Sequence, residues 1–285
     1  MKYLAFDLGA NSGKMMLGNL RNGMLDIKLV HRFSNRQIQM NHALFWDIIN
    51  IYSNLKTGLQ KALIESDDSL CIGIDSFCND FGLIDKNGNL MTQVRCYRDP
   101  RTQRCCDAIY KMVSPWELYQ QTGSQVALFN TSMQMASMVL ENDGFLLEKC
   151  EHALLIPDLL NYFLCGEKHT EYTLASVSQL MDWKTDKWAV GMMRKLSIPT
   201  DIFPDVTATE TRVGKISQAC NPDISRSDIS VISVPGHDTA SAVAALPTNQ
   251  DHVAYISSGT WSLVGTEVER PIITEEAFKH NIAYE

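Results

Sequence analysis

The run Lys2-Tyr3-Leu4-Ala5-Phe6-Asp7-Leu8-Gly9-Ala10-Asn11-Ser12-Gly13-Lys14-Met15-Met16-Leu17-Gly18-Asn19-Leu20 decides how the chain begins. Tyr3 to Asp7 is a short apolar run that ends in a carboxylate. Leu8 to Gly13 reads as a turn, and Lys14 to Leu20 is a second apolar run. Asn22-Gly23 is a strong hairpin signal. Leu25, Ile27 and Leu29 then alternate with Asp26, Lys28 and Val30, the period of a strand. The opening is therefore expected to be a meander of two consecutive hairpins. Asp7 to Lys14 looks at first like a Walker phosphate loop, but its glycines stand one residue too close. Met15 occupies the place of the magnesium-binding Ser or Thr, and the following segment is strand-like rather than helical. The dinucleotide fingerprint G-x-G-x-x-G is absent too. Two readings stay open from this stretch alone. One is an ordinary Gly-rich turn. The other is a hairpin whose backbone amides face phosphate oxygens, with Asp7 holding magnesium through water.

Outward from the meander, Ile48, Tyr52, Leu55, Leu59 and Ala62 recur at spacings of three and four, which predicts a helix from about Trp46 to Glu65. Cys71-Ile72-Gly73-Ile74-Asp75 follows as a short buried strand, again ending in Asp. The middle of the chain reads as mostly helical. Short helices are expected over Asp107 to Met112 and Ser114 to Gln121, with Ser114-Pro115 as a cap. Thr131 to Glu141 carries a Met stripe typical of core packing. Pro157 to Leu164 is a helix that Gly166 stops. Residues 201–229 are rich in Pro, Asp, Thr and Ser and read as irregular surface. Val231 to Val234 reads as a buried strand, and His237 to Leu246 as a small, apolar, tightly packed helix. Pro247 to Asp251 is a linker. Val253 to Ser257 and Trp261 to Thr266 form a hairpin around Gly259.

Composition narrows the class. The chain has 285 residues, 25 Lys+Arg against 33 Asp+Glu for a formal net charge of −8, and 45% hydrophobic residues. A disordered chain would need far fewer apolar residues. An acidic surface does not suit a duplex nucleic acid, whose phosphates attract basic patches. No apolar run reaches the roughly 18 residues of a spanning helix, so neither a membrane nor a nucleic acid is expected as a partner. Eight scattered cysteines, with no C-x-x-C pair, point to free thiols in a reducing cytoplasm rather than to a zinc ribbon. Nothing in the sequence fixes the oligomeric state, and a dimer is compatible with it.

Two further motifs carry chemistry. In Val234-Pro235-Gly236-His237-Asp238-Thr239-Ala240-Ser241 a strand ends, a Gly allows close approach and a carboxylate opens a helix. Asp238 is then either a helix-start residue favoured by the dipole or a general base at the carboxyl end of a sheet strand. Ser257-Ser258-Gly259-Thr260-Trp261-Ser262 is a hydroxyl- and Gly-rich turn suited to a second phosphate grip. G-x-S-x-G does not occur, which argues against a serine nucleophile.

In this order the motifs resemble the FGGY carbohydrate kinases of the actin/hexokinase-like ATPase superfamily, and among them the rhamnulokinase branch. The resemblance runs from Tyr3 to about Glu285. It rests on Asp7 to Lys14, Gly73-Ile74-Asp75, Tyr97-Arg98-Asp99 with Arg101-Thr102, and Phe129-Asn130-Thr131. Pro157 to Tyr162, Glu171-Tyr172-Thr173, Gln179-Leu180, Gly236 to Val243 and Ser257 to Leu263 complete it. It implies an α/β, ribonuclease H-like domain whose mixed sheet, three antiparallel strands and then parallel ones, is flanked by helices. That domain would span residues 1–247, with 248–285 as the opening hairpin of a truncated second domain that holds most of the adenine pocket. It implies ATP and Mg²⁺ as cofactors and a small-molecule ketose as substrate, with L-rhamnulose giving L-rhamnulose 1-phosphate. L-Fuculose, or a non-catalytic sugar- or nucleotide-binding role for this chain alone, are the alternatives. By the same resemblance Asp238 is the base. His237 and Thr239 flank the sugar together with Asp238. Ala10, Asn11, Ser12, Gly13 and Lys14 form the first phosphate hairpin, Thr260 touches ATP from the second, and Asp7 serves the metal. Cys78 stands in Asp75-Ser76-Phe77-Cys78-Asn79-Asp80 where the family tends to have Gly near the sugar, so an altered pocket is expected there.

Overall fold

The computed structural model describes residues 2–65, 68–226, 228–248, 250, 253–259 and 262–285. Its opening is the expected meander: β1 (Lys2–Leu8), β2 (Ser12–Arg21) and β3 (Met24–Ser34) pair antiparallel in sequence order. Asn22 (φ 51) and Gly23 (φ 76) both take the left-handed backbone that a tight two-residue hairpin requires. A small hairpin of β4 (Gln37–Met40) and β5 (Ala43–Trp46) leads into α1 (Ile48–Ile64), whose first turn is capped by the Asp47 carboxylate accepting from Asn50 N. The strand β6 (Leu70–Ser76) returns alongside β1, parallel to it, with Asp75 directly beside Asp7.

The chain then leaves the sheet. β7 (Phe81–Ile84), α2 (Arg101–Met112), α3 (Pro115–Thr122), α4 (Thr131–Leu140), α5 (Gly144–Lys149) and β8 (His152–Leu155) precede α6 (Ile156–Cys165), which Gly166 ends at φ 81. After it come β9 (Thr170–Glu171), α7 (Tyr172–Val177), the pair β10 (Met181–Asp182) and β11 (Lys187–Trp188), α8 (Val190–Lys195) and β12 (Val206–Thr207). β13 (Arg212–Lys215) and β14 (Ser230–Ile232) rejoin the sheet, followed by α9 (Asp238–Ala244), the hairpin β15 (Ala254–Ser258) and β16 (Ser262–Thr266), and α10 (Glu275–Lys279). The six-stranded sheet has the order β13-β14-β6-β1-β2-β3, with β14 parallel to β6 and β13 antiparallel at the edge.

Two cores result. In β1, alternation sends Leu4, Phe6 and Leu8 into a core shared with Ile51, Leu55 and Leu59 of α1 and Leu159 and Leu160 of α6. Asp7 falls on the opposite face. Each such fully buried aliphatic side chain contributes about 1.5–3 kcal/mol. A second core gathers Phe81 and Leu83 with Met133, Met135 and Ala136 of α4, Leu118 of α3 and Met193 of α8. The Met stripe is core, as its spacing indicates.

Three local expectations are corrected. α2 begins at Arg101, six residues before the helix read from its apolar pattern, because its first turn is polar yet buried: Arg101 is 2% exposed and Thr102 4%. Residues 201–229 are not merely irregular surface. They include the sheet edge β13, and Ile202, Phe203, Ile216, Ile224 and Ile229 are all buried beneath the polar residues. α9 is not tightly packed either; it has no buried residue. In the predicted linker, Asn249 and Asp251 lie outside the described residues.

Candidate active site

Four strand ends and loops converge on one cavity of about 810 Å³. Its floor comes from the carboxyl ends of β1 and β6, which supply Asp7 and Asp75. One wall is aromatic, formed by Phe77, Tyr97 and Phe129. The start of α9 contributes His237, Asp238 and Thr239, and Ser257 to Gly259 of the last hairpin face them. Asn281, Ala283, Tyr284 and Glu285 close the remaining side. This last segment is held by Asn281 Oδ1, which accepts from Val126 N at 2.8 Å, and by Tyr284 N, which donates to Gly123 O at 2.9 Å.

Local structure fixes each group. The turn between β1 and β2 is tied by Gly9 N donating to Ser12 O at 2.9 Å and by Asn35 Nδ2 donating to Gly9 O at 3.0 Å. Asp7 and Lys14 are cross-strand partners, so their side chains share a face, and Lys14 Nζ lies 3.0 Å from Asp7 Oδ2. Phe77 stacks on Trp46 at 4.5 Å between centroids. Just beyond it, the buried Asp80 carboxylate accepts from Trp46 Nε1 at 2.5 Å, Gln134 Nε2 at 2.9 Å and Tyr97 N at 3.0 Å. These bonds hold the Cys78 loop against the cavity. Gly236 and His237 extend the β14 side of the sheet: Ser76 N donates to Gly236 O at 2.9 Å, and His237 bridges Ser76.

The electrostatics follow from this crowding. Burial, with Asp7 and Asp238 nearby, pushes the Asp75 carboxyl up to about 8, so it is largely protonated at neutral pH. Burial also raises Asp238, against the pull of His237. For His237, burial disfavours the imidazolium, but Cys78 and Glu285 beside it outweigh that and hold it well above its ordinary value. His237 Nδ1 lies 2.6 Å from Glu285 Oε1, and Nε2 lies 3.6 Å from Asp238 Oδ1. The arrangement offers a carboxylate poised upward, a nearby cation and a half-enclosed pocket, which suits proton abstraction from a bound hydroxyl.

Of the residues singled out in the sequence, Asp7, Ala10, Cys78, His237, Asp238 and Thr239 line this one cavity. Asn11, Ser12, Gly13 and Lys14 do not line it; they lie in the adjoining hairpin, Lys14 reaching the cavity floor through Asp7. Thr260 lies outside the described residues, while its neighbours Ser258 and Gly259 face the cavity. Sequence reasoning missed Asp75, Glu285 and the wall from Ser124 to Leu128. Asp75 had a usable signal, since it ends an apolar strand as Asp7 does.

No group of three or more His, Cys, Asp or Glu side chains among the described residues could hold a metal ion. Mg²⁺ usually keeps several waters and binds through one or two carboxylates plus substrate phosphates. Asp7, part-exposed on the floor, fits that weaker demand.

A mixed sheet of this order, flanked by helices, with carboxylates at the ends of adjacent strands and a cleft above them, is the actin/hexokinase-like ATPase fold. Solved structures agree on that fold. A carbohydrate kinase from Novosphingobium aromaticivorans superposes with a TM-score of 0.80 at 18% identity, covering 95% of this chain and 57% of that one. A xylulose kinase from Rhodospirillum rubrum gives 0.75 at 16%, covering 87% and 51%. Residues 2–245 match the FGGY family of carbohydrate kinases, N-terminal domain, and the chain belongs to that family. Among curated relatives, the rhamnulokinase of Oceanobacillus iheyensis is 38% identical over 282 residues, 99% of this chain and 59% of its own length. The rhamnulokinase of Bacillus subtilis is 38% identical over 285 residues, 100% of this chain and 58% of its own. The chain thus spans under two thirds of the length of these relatives. Among the described residues no helix is long and apolar enough to cross a membrane.

Proposed function

We propose that this chain carries the base and one phosphate-side wall of an ATP-dependent ketose kinase, with L-rhamnulose as substrate and L-rhamnulose 1-phosphate as product. The observation that carries the reading is the meeting of Asp238, His237, Thr239 and Asp7 in one cavity. Similarity to relatives named rhamnulokinase at 38% identity supports the choice of sugar. The aromatic wall of Phe77, Tyr97 and Phe129 supports it as well, since it offers an apolar surface to a sugar that ends in a methyl group.

In this reading His237 and Thr239 orient the sugar with its primary hydroxyl at Asp238. The Asp238 carboxylate accepts that proton. The freed oxygen forms a bond to the γ-phosphorus as the bond to the β-phosphate oxygen breaks, and ADP leaves. Little covalent help is needed, because phosphoryl transfer depends on positioning and charge neutralisation. Lys14, beside Asp7, supplies positive charge at the phosphate end. Mg²⁺ held at Asp7 through water would add further neutralisation of the phosphates.

The test is coupled ADP release over a panel of ketoses, including L-rhamnulose, L-fuculose and L-xylulose, by a protein of the relatives' full length that carries these residues. Highest kcat/KM on L-rhamnulose is expected. A preference of tenfold or more for another ketose, about 1.4 kcal/mol in the transition state, would replace the substrate. No sugar-dependent release at all would remove the kinase reading.

A further inference from the structure

The segment that delivers Asp238 to the cavity is fastened from beneath by one buried acid. Glu171, 2% exposed, ends β9 and caps α7. Its Oε2 accepts three hydrogen bonds: from Thr173 Oγ1 at 2.6 Å, from Leu174 N at 3.1 Å and from Gly236 N at 3.0 Å. Thr173 Oγ1 in turn accepts from His237 N at 3.2 Å. Two successive amides just before Asp238 therefore end on the Glu171 carboxylate or on the hydroxyl it orients. The acid is itself anchored, because Glu171 N donates to the buried Asp158 Oδ2 at 3.2 Å and Asp158 Oδ1 faces His169 Nε2 at 3.1 Å. There is no slack between the layers. A Cβ on Gly236 would lie 2.7 Å from Leu174 Cδ1 and 3.1 Å from Glu171 Oε2.

We infer that Glu171 is a positioning residue for the proposed base: its carboxylate clamps the amides of Gly236 and, through Thr173, of His237, and so sets where the Asp238 carboxylate stands. The inference rests on the proposed kinase reaction. Glu171 does not line the cavity, so it acts through Asp238 and not on the sugar. A carboxylate oxygen serving three donors is a strong, charge-assisted acceptor. Glu171→Gln retains one oxygen in that place, whereas Glu171→Ala removes it.

Two measurements test it. The first is amide hydrogen exchange of the peptide spanning Pro235 to Leu246, read on the 285-residue chain. Glu171→Ala should speed exchange at Gly236 and His237 by about tenfold or more through local opening, with exchange in β1 and β2 unchanged, and Glu171→Gln should stay near the parent. The second is steady-state turnover of a protein of the relatives' full length that carries these residues. Misplacing the base should lower kcat in Glu171→Ala by on the order of 10²-fold, with KM for sugar and for ATP moved far less, and Glu171→Gln should restore most of the loss. In an Asp238→Asn background the same Glu171→Ala change should cost little more, because the group it places is already gone. Unchanged exchange in Glu171→Ala would overturn the clamp. So would faster exchange with unchanged kcat, or a kcat loss that multiplies fully with that of Asp238→Asn. Absence of turnover in the parent would instead overturn the kinase reading, leaving the exchange result to decide the clamp.

Discussion

At the scale of single residues, chemistry depends on how two neighbouring strands end. Asp238 is the group on which the proposed reaction turns. Asp238→Asn should keep sugar binding, read by calorimetry, and lower kcat by roughly 10²-fold or more, the usual scale for loss of a general base. Near-parental kcat would exclude Asp238 as the base. Asp75 makes a separate prediction about pH. Its carboxyl is raised from 3.8 to about 8 in the folded chain, so folding takes up a proton between those values. The stability it contributes is fully present below about pH 4 and is lost as pH rises through about 8. Asp75→Asn should flatten the fall of unfolding free energy between pH 5 and 8 and leave the chain more stable than the parent at pH 8. Urea titrations at four pH values measure this, and an unchanged slope would show that Asp75 ionises normally. The sequence made half of this floor legible. Asp7 stood out as a carboxylate closing an apolar strand, and Asp75 ends its strand the same way. What one sequence does not show is that β6 lies in register beside β1, which sets the two acids side by side. The wall from Ser124 to Leu128 was illegible for another reason: it borders the cavity as a loop of common residues with no motif to mark it.

At the scale of elements, the first hairpin shows how packing and binding share one position. Gly13 belongs to the hairpin that the resemblance turns toward phosphate, yet a Cβ there would lie 2.2 Å from the Phe33 ring of the neighbouring strand. Gly13→Ala should therefore destabilise the chain by about 1–3 kcal/mol through overpacking, visible as a lower urea midpoint without any nucleotide present. A midpoint equal to the parent's would mean that the ring moves aside at no cost. β3 and α1 were readable from period-two and period-3.6 patterns, and β1, β2 and β6 as short apolar runs bounded by turns or carboxylates. β13 was hidden because it is a four-residue edge strand with Arg212 and Lys215 at its ends, where solvent selects charge. α9 misled in the opposite direction. Its small apolar residues suggest burial, but they sit on a helix that only skirts the sheet.

At the scale of the whole molecule, the cleft collects groups from Asp7 to Glu285, and relatives continue well beyond the matched length. Kinases that close around their substrates exclude water and align the phosphates only when both sides of the cleft are present. The 285 residues by themselves are expected to show no sugar-dependent ADP release above background, while a protein of the relatives' full length that carries these residues should reach the roughly 1–100 s⁻¹ typical of kinases. Turnover in that range by the isolated chain, in a coupled assay, would show that these residues suffice. The strand order has a last consequence, for synthesis on the ribosome. β1 and β6 can pair once the first quarter of the chain has emerged, but β14 pairs with β6 across the long helical excursion. At the usual 5–20 residues per second, the stretch of about 160 residues between these partners takes roughly 8–30 s to appear. Throughout that wait one edge of β6 stands open in the nascent chain, and the segment bearing Asp238 has yet to emerge. The strand that brings in the proposed base is thus also the one that seals the growing sheet.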